Sequence, residues 1–304
     1  MSKEFDMRLA EWKEQIDDCL NSMIEGLGYT DEFKEILRYA LFPGGKRLRP
    51  ILTLEWHNLF SPPDEYALRY ACGIEILHSY SLIHDDMPCM DNDDYRRGAL
   101  TVHKKYGEGK ALLAGDALMD LAYRILNTPT PQGKVSPFVM LAGSCGDAGL
   151  IHGQYLDLYG ELRTLDELLK MYRYKTGALI TLACMSGFAL GNNLDYIEYD
   201  KLVDSIADGK PHRINRDADD RRIVDSVLAM GFGEKFGCAF QLYDDISEYI
   251  GGEELSATSV LKFVDLDEAK RLLNTKLNDA LQILDTLNGD AFFLRELLKK
   301  FVIV

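Results

Sequence analysis

The run Leu82-Ile83-His84-Asp85-Asp86-Met87-Pro88-Cys89-Met90-Asp91-Asn92-Asp93-Asp94-Tyr95-Arg96-Arg97-Gly98 joins two kinds of sequence. Behind it, residues 66–86 are apolar around most of a helical circumference, as expected of a central element of a large bundle. Within it, Asp85, Asp86, Asp91, Asp93 and Asp94 fall inside ten residues, followed at once by Arg96 and Arg97. Carboxylates this close repel one another unless a cation shares their charge. Hard oxygens beside fixed guanidinium groups suit a Mg2+–diphosphate ligand. A merely solvated acidic loop would explain neither the apolar helix before the aspartates nor the arginines after them. Pro88 disfavours further regular helix, so Asp91 is expected to return to the mouth where Asp85 and Asp86 sit.

Working outward, the pattern stays helical. Apolar residues recur at three- and four-residue spacing over 7–26, 31–42, 48–60, 66–86, 110–127, 135–159, 165–190, 197–207, 220–250 and 265–300. The breaks are short: Pro43-Gly44-Gly45, Ser61-Pro62-Pro63, Thr128-Pro129-Thr130-Pro131, Gly191-Asn192-Asn193 and Gly251-Gly252. None reads as a domain linker, and no repeat is evident. The expectation is one all-α domain over residues 1–304, with 206–217 as a polar surface loop.

Composition narrows the classes. A chain of 304 residues with 47% hydrophobic and 27% charged residues can bury a substantial core. A net charge of −15 with no basic face argues against nucleic acid as a partner, while metal ions and local cations still permit an anionic substrate. Six cysteines without metal-like spacing read as buried small hydrophobes in a reducing compartment. No apolar run approaches the ~20 residues needed to span a bilayer, and the charged start lacks a signal core. A cytoplasmic location is expected.

Further along, Gln241, Asp244, Asp245 and Glu248 lie at i, i+3, i+4 and i+7, one stripe of an otherwise apolar helix. Carboxylates there need a cation or donors, unless the stripe is simply an exposed polar face. Gly44-Gly45-Lys46-Arg47-Leu48-Arg49-Pro50 places three cations at a helix start, an anion site or a solvated basic turn. His78 sits on the apolar helix, where a lone histidine is usually a satisfied core residue. Lys175-Thr176-Gly177 interrupts another apolar helix, and its lysine must find an anion or snorkel. There is no GxSxG, HExxH or GxGxxG, so hydrolase, zinc protease and dinucleotide readings have no support.

Taken in order, these segments resemble the trans-isoprenyl diphosphate synthases, the short-chain polyprenyl synthetase family, with the bacterial farnesyl type closest in pattern. The matching pieces are 44–50, 75–86, the aspartate-rich stretch through Gly98, 101–103, 114–118, Gly153-Gln154-Tyr155-Leu156-Asp157, 175–180 and 240–246. The resemblance implies an isoprenoid-synthase bundle around a deep central cavity, usually a homodimer, and about three Mg2+ ions. It implies that Asp85, Asp86, Asp91, Asp244 and Asp245 hold metal. Arg96, Lys175 and Gln241 would contact the allylic diphosphate, Lys46, Arg49, His78 and Arg97 would bind isopentenyl diphosphate, and Thr176 would steady the cation. Tyr80 and Ser81, five and four residues before Asp85, would set chain length, and a ring one turn down favours a C15 product over C20.

The chain departs from the family pattern after Glu248, which stands where an aspartate is usual. The following loop is shorter by about a dozen residues, and Ser256 occupies an expected lysine position. Losing such a donor costs ~10²–10³ in rate elsewhere; Lys210, Arg213 or Arg216 could compensate. Two other readings stay open. A weakened homologue could serve as regulatory subunit of another synthase, and a terpene cyclase would share the ionisation chemistry but have little use for Lys46, Arg49 and His78. Geranyl and geranylgeranyl diphosphate remain competing products.

Overall fold

Helix caps and apolar stripes account for most of the architecture. The computed structural model describes residues 2–42, 44–128, 144–147, 149–194, 218–252 and 254–303. Their helices are α1 (Lys3–Glu25), α2 (Asp31–Leu41), α3 (Leu48–Asn58), α4 (Glu65–Asp85), α5 (Val102–Tyr106), α6 (Glu108–Leu126), α7 (Leu150–Tyr159), α8 (Leu165–Tyr172), α9 (Ala178–Gly191), α10 (Ala218–Ile250), α11 (Leu266–Asp285) and α12 (Phe292–Lys299). Side chains of Ser2, Thr30, Asp64, Thr164 and Asp265 each accept a first-turn backbone N–H, the expected way to satisfy orphan donors. The helix expected over 197–207, the start of the one expected over 135–159, and the loop carrying Lys210, Arg213 and Arg216 lie outside the described residues.

The fully apolar helices are the central ones. α4 packs on α3 and α6, α9 packs on α3 and α10, and the amphipathic α11 covers α10. Trp56 of α3 meets Phe232 of α10 edge-on with centroids 5.5 Å apart, and both are fully buried. Burying side chains of this size contributes roughly 1.5–3 kcal/mol each. This all-α arrangement holds the ends of α4 and α10 around a common cavity.

Three local features differ from expectation. The span 265–300 is two helices, because Asn288-Gly289-Asp290 turns the chain. There the Asp290 carboxylate accepts the Phe292 N–H at 3.0 Å, and a Cβ on Gly289 would stand 2.7 Å from the Leu59 carbonyl oxygen. Next, Tyr95–Arg96 and Ala99–Leu100 form an antiparallel hairpin, pairing Tyr95 with Leu100 and Arg96 with Ala99. Its two turn residues, Arg97 and Gly98, have φ of 53° and 78°, the backbone hand that matches strand twist. Lastly, the long helix expected over 165–190 is interrupted by a π turn at Arg173–Gly177. A Cβ on Gly153 of α7 would lie 2.2 Å from the Lys175 nitrogen, and one on Gly237 of α10 would lie 2.6 Å from Gly177 Cα. Two neighbouring helices therefore press directly on this turn.

Candidate active site

The first acidic cluster forms where α4 stops. Asp85 is the last residue of α4, and its carbonyl accepts the Asp91 N–H at 2.9 Å, folding the chain back. Asp85, Asp91 and Asp93 line a cavity of about 760 Å³. Asp86 does not. It is buried, and its Oδ1 accepts from Arg96 Nε at 2.5 Å, while Arg96 Nη2 also reaches Asp93 Oδ2 at 3.2 Å. Burial pushes the Asp85 carboxyl up to about 7; Lys175 opposes this and Asp91 adds to it. Burial likewise lifts Asp86 to about 6 against the pull of Arg96, and it raises Asp91.

Gln241, Asp244, Asp245 and Glu248 present one stripe of α10 to the same cavity. The two aspartates differ in their surroundings. Asp245 is saturated with donors: Oδ2 accepts the Tyr172 hydroxyl and the Val260 N–H (2.7 Å), and Oδ1 accepts Gln241 Nε2 (3.0 Å). Asp244 faces Lys46 Nζ at 3.8 Å, and burial pushes its carboxyl up to about 6. Thr176, in the π turn, donates to Gln241 Oε1 at 2.8 Å.

The basic wall explains the glycine pair. A Cβ on Gly44 would overlap the Arg47 guanidinium at 2.0 Å, and one on Gly45 would crowd that of Arg97 at 2.8 Å. Gly44 is needed for space because Arg47 is fixed by its partners, whereas at Gly45 only the far end of the Arg97 side chain would have to move. Arg47 corrects the reading of three available cations. Its guanidinium is buried, donating to Asp17 Oδ1 (2.9 Å), Glu75 Oε1 (2.9 Å) and the Leu41 carbonyl (2.8 Å). Lys46, Arg49, Arg97 and His78 remain around the cavity. Burial lowers Arg49 only to about 10, so it stays charged at neutral pH. Its buried Nε has no hydrogen-bond partner, as fits a group aimed at an anion. Burial, then Arg49, Arg97 and Arg96, hold His78 well below the usual histidine range, so it is neutral.

Sequence reasoning missed several lining groups. Asp157 of α7 accepts both the Lys175 ammonium and the Thr258 hydroxyl. Burial disfavours the Lys175 charge, yet Asp157, Asp85 and Asp91 together raise its pKa. Glu75 and Thr258 also line the cavity, as does Ser256, the residue at the expected lysine position. The sequence signal for Asp157 was the segment Gly153–Asp157, to which no role was attached. Below the first cluster lies a second, mostly apolar cavity of about 260 Å³, lined by Tyr80, Ser81, His84, Leu150, Gln154 and Tyr155 among others. Tyr80 lines only this one, while Ser81, Asp85 and Leu150 border both.

Among the described residues no three His, Cys, Asp or Glu side chains converge closely enough to cage an ion unaided. Crowded carboxylates of raised pKa on separate walls fit Mg2+, which is typically held by one or two carboxylates plus phosphate oxygens of a ligand.

Comparison with known proteins gives a consistent picture. The family model described as polyprenyl synthetase matches residues 30–207. The farnesyl diphosphate synthase of Micrococcus luteus is 35% identical over 83% of this chain and 82% of its own. The geranylgeranyl diphosphate synthase of Cyanophora paradoxa is 36% identical, covering 86% of this chain and 80% of that protein. The crystal structure of an FPP/GFPP synthase from Zymomonas mobilis superimposes with a TM-score of 0.80 at 29% identity, over 100% of both chains.

Proposed function

The chain belongs to the polyprenyl synthetase family, and on that premise we propose that it joins an allylic diphosphate, dimethylallyl or geranyl, to isopentenyl diphosphate and gives farnesyl diphosphate. One observation carries this reading. A single cavity is lined by Asp85 and Asp91 with Lys175 beside them, by Asp244 with Lys46 and Arg49 beside it, and by Arg96 and Arg97. Two cationic sets suit two diphosphates; a cyclase would need one.

Asp85, Asp91 and Asp244 are the carboxylates we assign to Mg2+. Asp86 orients Arg96, and Asp245 anchors the segment at Val260. Magnesium ions bound there supply Lewis-acid charge to a departing pyrophosphate. Lys175, Arg96 and Gln241 hold the allylic diphosphate. Its C1–O bond breaks, the electron pair leaves with pyrophosphate, and C1 becomes an allylic cation. Fixed cations cost no reorganisation at that moment, which is why such groups accelerate ionisation. The Thr176 hydroxyl, which lines the cavity from the π turn, is the group we assign to oppose this charge with its dipole. Lys46, Arg49, Arg97 and neutral His78 hold isopentenyl diphosphate so that its alkene attacks C1. The proton then lost goes to a pyrophosphate oxygen.

Tyr80, buried below Asp85, supports the C15 product. For assembly we propose a homodimer. α6 and α7 leave Leu112, Leu113, Ile151, Tyr155 and Tyr159 exposed, and His84 lies against both the Leu112 carbonyl and the second cavity. We place the protein in the cytoplasm: all six cysteines are free, and among the described residues no helix is long and apolar enough to cross a membrane.

The test is incubation of the protein with geranyl diphosphate, isopentenyl diphosphate and Mg2+, with products separated after dephosphorylation. Farnesol should appear and pyrophosphate be released, and Asp85→Ala should abolish both. Folded, Mg2+-loaded protein that stays silent with every allylic primer would refute the assignment.

A further inference from the structure

Phe301, just beyond α12, is 3% exposed, and its ring packs on Phe236, Phe240 and Tyr243 at centroid separations of 5.2, 5.5 and 5.1 Å. Those three positions follow i, i+4 and i+7 on α10, the helix that carries Asp244. The Lys46 ammonium stands 5.5 Å from the Phe301 centroid, 5.1 Å from Phe240 and 5.5 Å from Tyr243. Lys46 is thus boxed by three rings, although its side chain remains 61% exposed.

The box solves a particular problem. Lys46 follows two glycines and has a four-carbon stem, so a free ammonium there would sample many positions and lose rotamer entropy on being fixed. A carboxylate pins a lysine but competes with an incoming anion for its charge, and the carboxylate in reach here, Asp244 at 3.8 Å, is one of those assigned to Mg2+. Ring faces attract a cation through their quadrupole and carry no charge of their own. They hold Lys46 in place without drawing on its charge. Two of the rings come from the helix that already lines the cavity; Phe301 reaches it from a separate segment and closes the third side.

We infer that Phe301 is a positioning residue for the homoallylic substrate, completing the aromatic box that aims Lys46 at the diphosphate of isopentenyl diphosphate. This rests on the reading of Lys46 and Arg49 as that diphosphate's site. A cation–π contact at a partly exposed position is worth about two- to fivefold in an equilibrium constant. Phe301→Met keeps the apolar volume and removes the ring. It should raise the dissociation constant of isopentenyl diphosphate, measured by calorimetry on the full chain, about threefold, with the same rise in its KM. The KM for geranyl diphosphate and kcat at saturation should not move. Phe301→Trp should restore affinity, and Tyr243→Leu, at a half-buried wall of the box, should show the same split as Phe301→Met.

Lys46→Met separates the two levels of the argument. In that background Phe301→Met should change nothing further, because the cation it positions is gone. A Phe301 effect that persists without Lys46, or equal rises in both KM values, would mean general loosening of the fold and would overturn the proposal alone. If Lys46→Met itself leaves isopentenyl diphosphate binding intact, the assignment of the site falls and the proposal with it.

Discussion

Replacing Arg47 with methionine should unfold this protein more readily than replacing any exposed arginine. The variant leaves Glu75, 2% exposed, without the guanidinium that it holds at 2.9 Å. Breaking a buried ion pair from one side costs about 3–5 kcal/mol, since a desolvated charge is left behind. The Asp17 contact adds ~1 kcal/mol at most, because that carboxylate is 42% exposed. The Leu41 carbonyl loses a donor, worth about 1 kcal/mol. Against this, Arg49 and Arg97 lie close enough to feel Glu75 and can partly replace the lost charge. The expected loss is therefore near the lower end, about 3 kcal/mol, or a fall in Tm of roughly 5 °C for a chain of this size. Urea titration followed by circular dichroism measures it. Arg47→Met/Glu75→Met should recover more than half of the loss, because the buried charge has gone. A single variant within 1 kcal/mol of wild type, or a double variant weaker than the single, would refute the reasoning. Arg47→Met should also weaken isopentenyl diphosphate, as Arg49 is drawn towards Glu75.

Three further outcomes are expected. In metal-free protein, Asp85, Asp86 and Asp244 have folded pKa values of about 7, 6 and 6, above their unfolded values. The folded state then binds more protons than the unfolded one, so these groups make stability fall as pH rises from about 4 to about 7. Asp85→Asn should accordingly raise the Tm of chelator-treated protein at pH 8 and leave it unchanged at pH 4; no difference between the two pH values would contradict this. Tyr80→Ala should open the apolar space beneath Asp85 and shift products from C15 towards C20 and longer, read by chromatography of the dephosphorylated alcohols; unchanged length would remove Tyr80 from its role. Asp245→Ala strands the Val260 N–H and the Gln241 amide, while the Tyr172 hydroxyl keeps the Thr258 carbonyl, which predicts a loss of about 2 kcal/mol in urea together with protease cleavage near residues 254–260; a variant as resistant as wild type would count against the anchoring role.

Much of this was legible from periodicity. The apolar helices, the stripe from Gln241 to Glu248 and the return of Asp91 after Pro88 all follow from spacing, because each depends on neighbours close in sequence. The break at Asn288-Gly289-Asp290 was equally local, but the three- and four-residue pattern on both sides outweighed it. What spacing could not reveal is which way a polar side chain turns. Arg47 faces Asp17 and Glu75, Asp245 faces Tyr172 and Val260, and Lys175 faces Asp157, all distant partners that only the packed bundle brings together. Residues that look equivalent in a motif thus separate into those whose polar groups stay open to the cavity and those that hold the others.

The π turn at Arg173–Gly177 makes phase a property of this protein. In a regular helix each residue advances the direction of its side chain by about 100°. Widening one turn to admit an extra residue resets that angle between α8 and α9. The side-chain geometry there is written in chain length, in the number of residues between Tyr172 and Ala178, as well as in their identity. Deleting Arg173 or Tyr174 would restore an unbroken helix and swing Lys175 by about a quarter of a circle relative to α8. Substitution scanning cannot expose that dependence. Indels across this segment would be rejected more sharply than any exchange of one side chain for another.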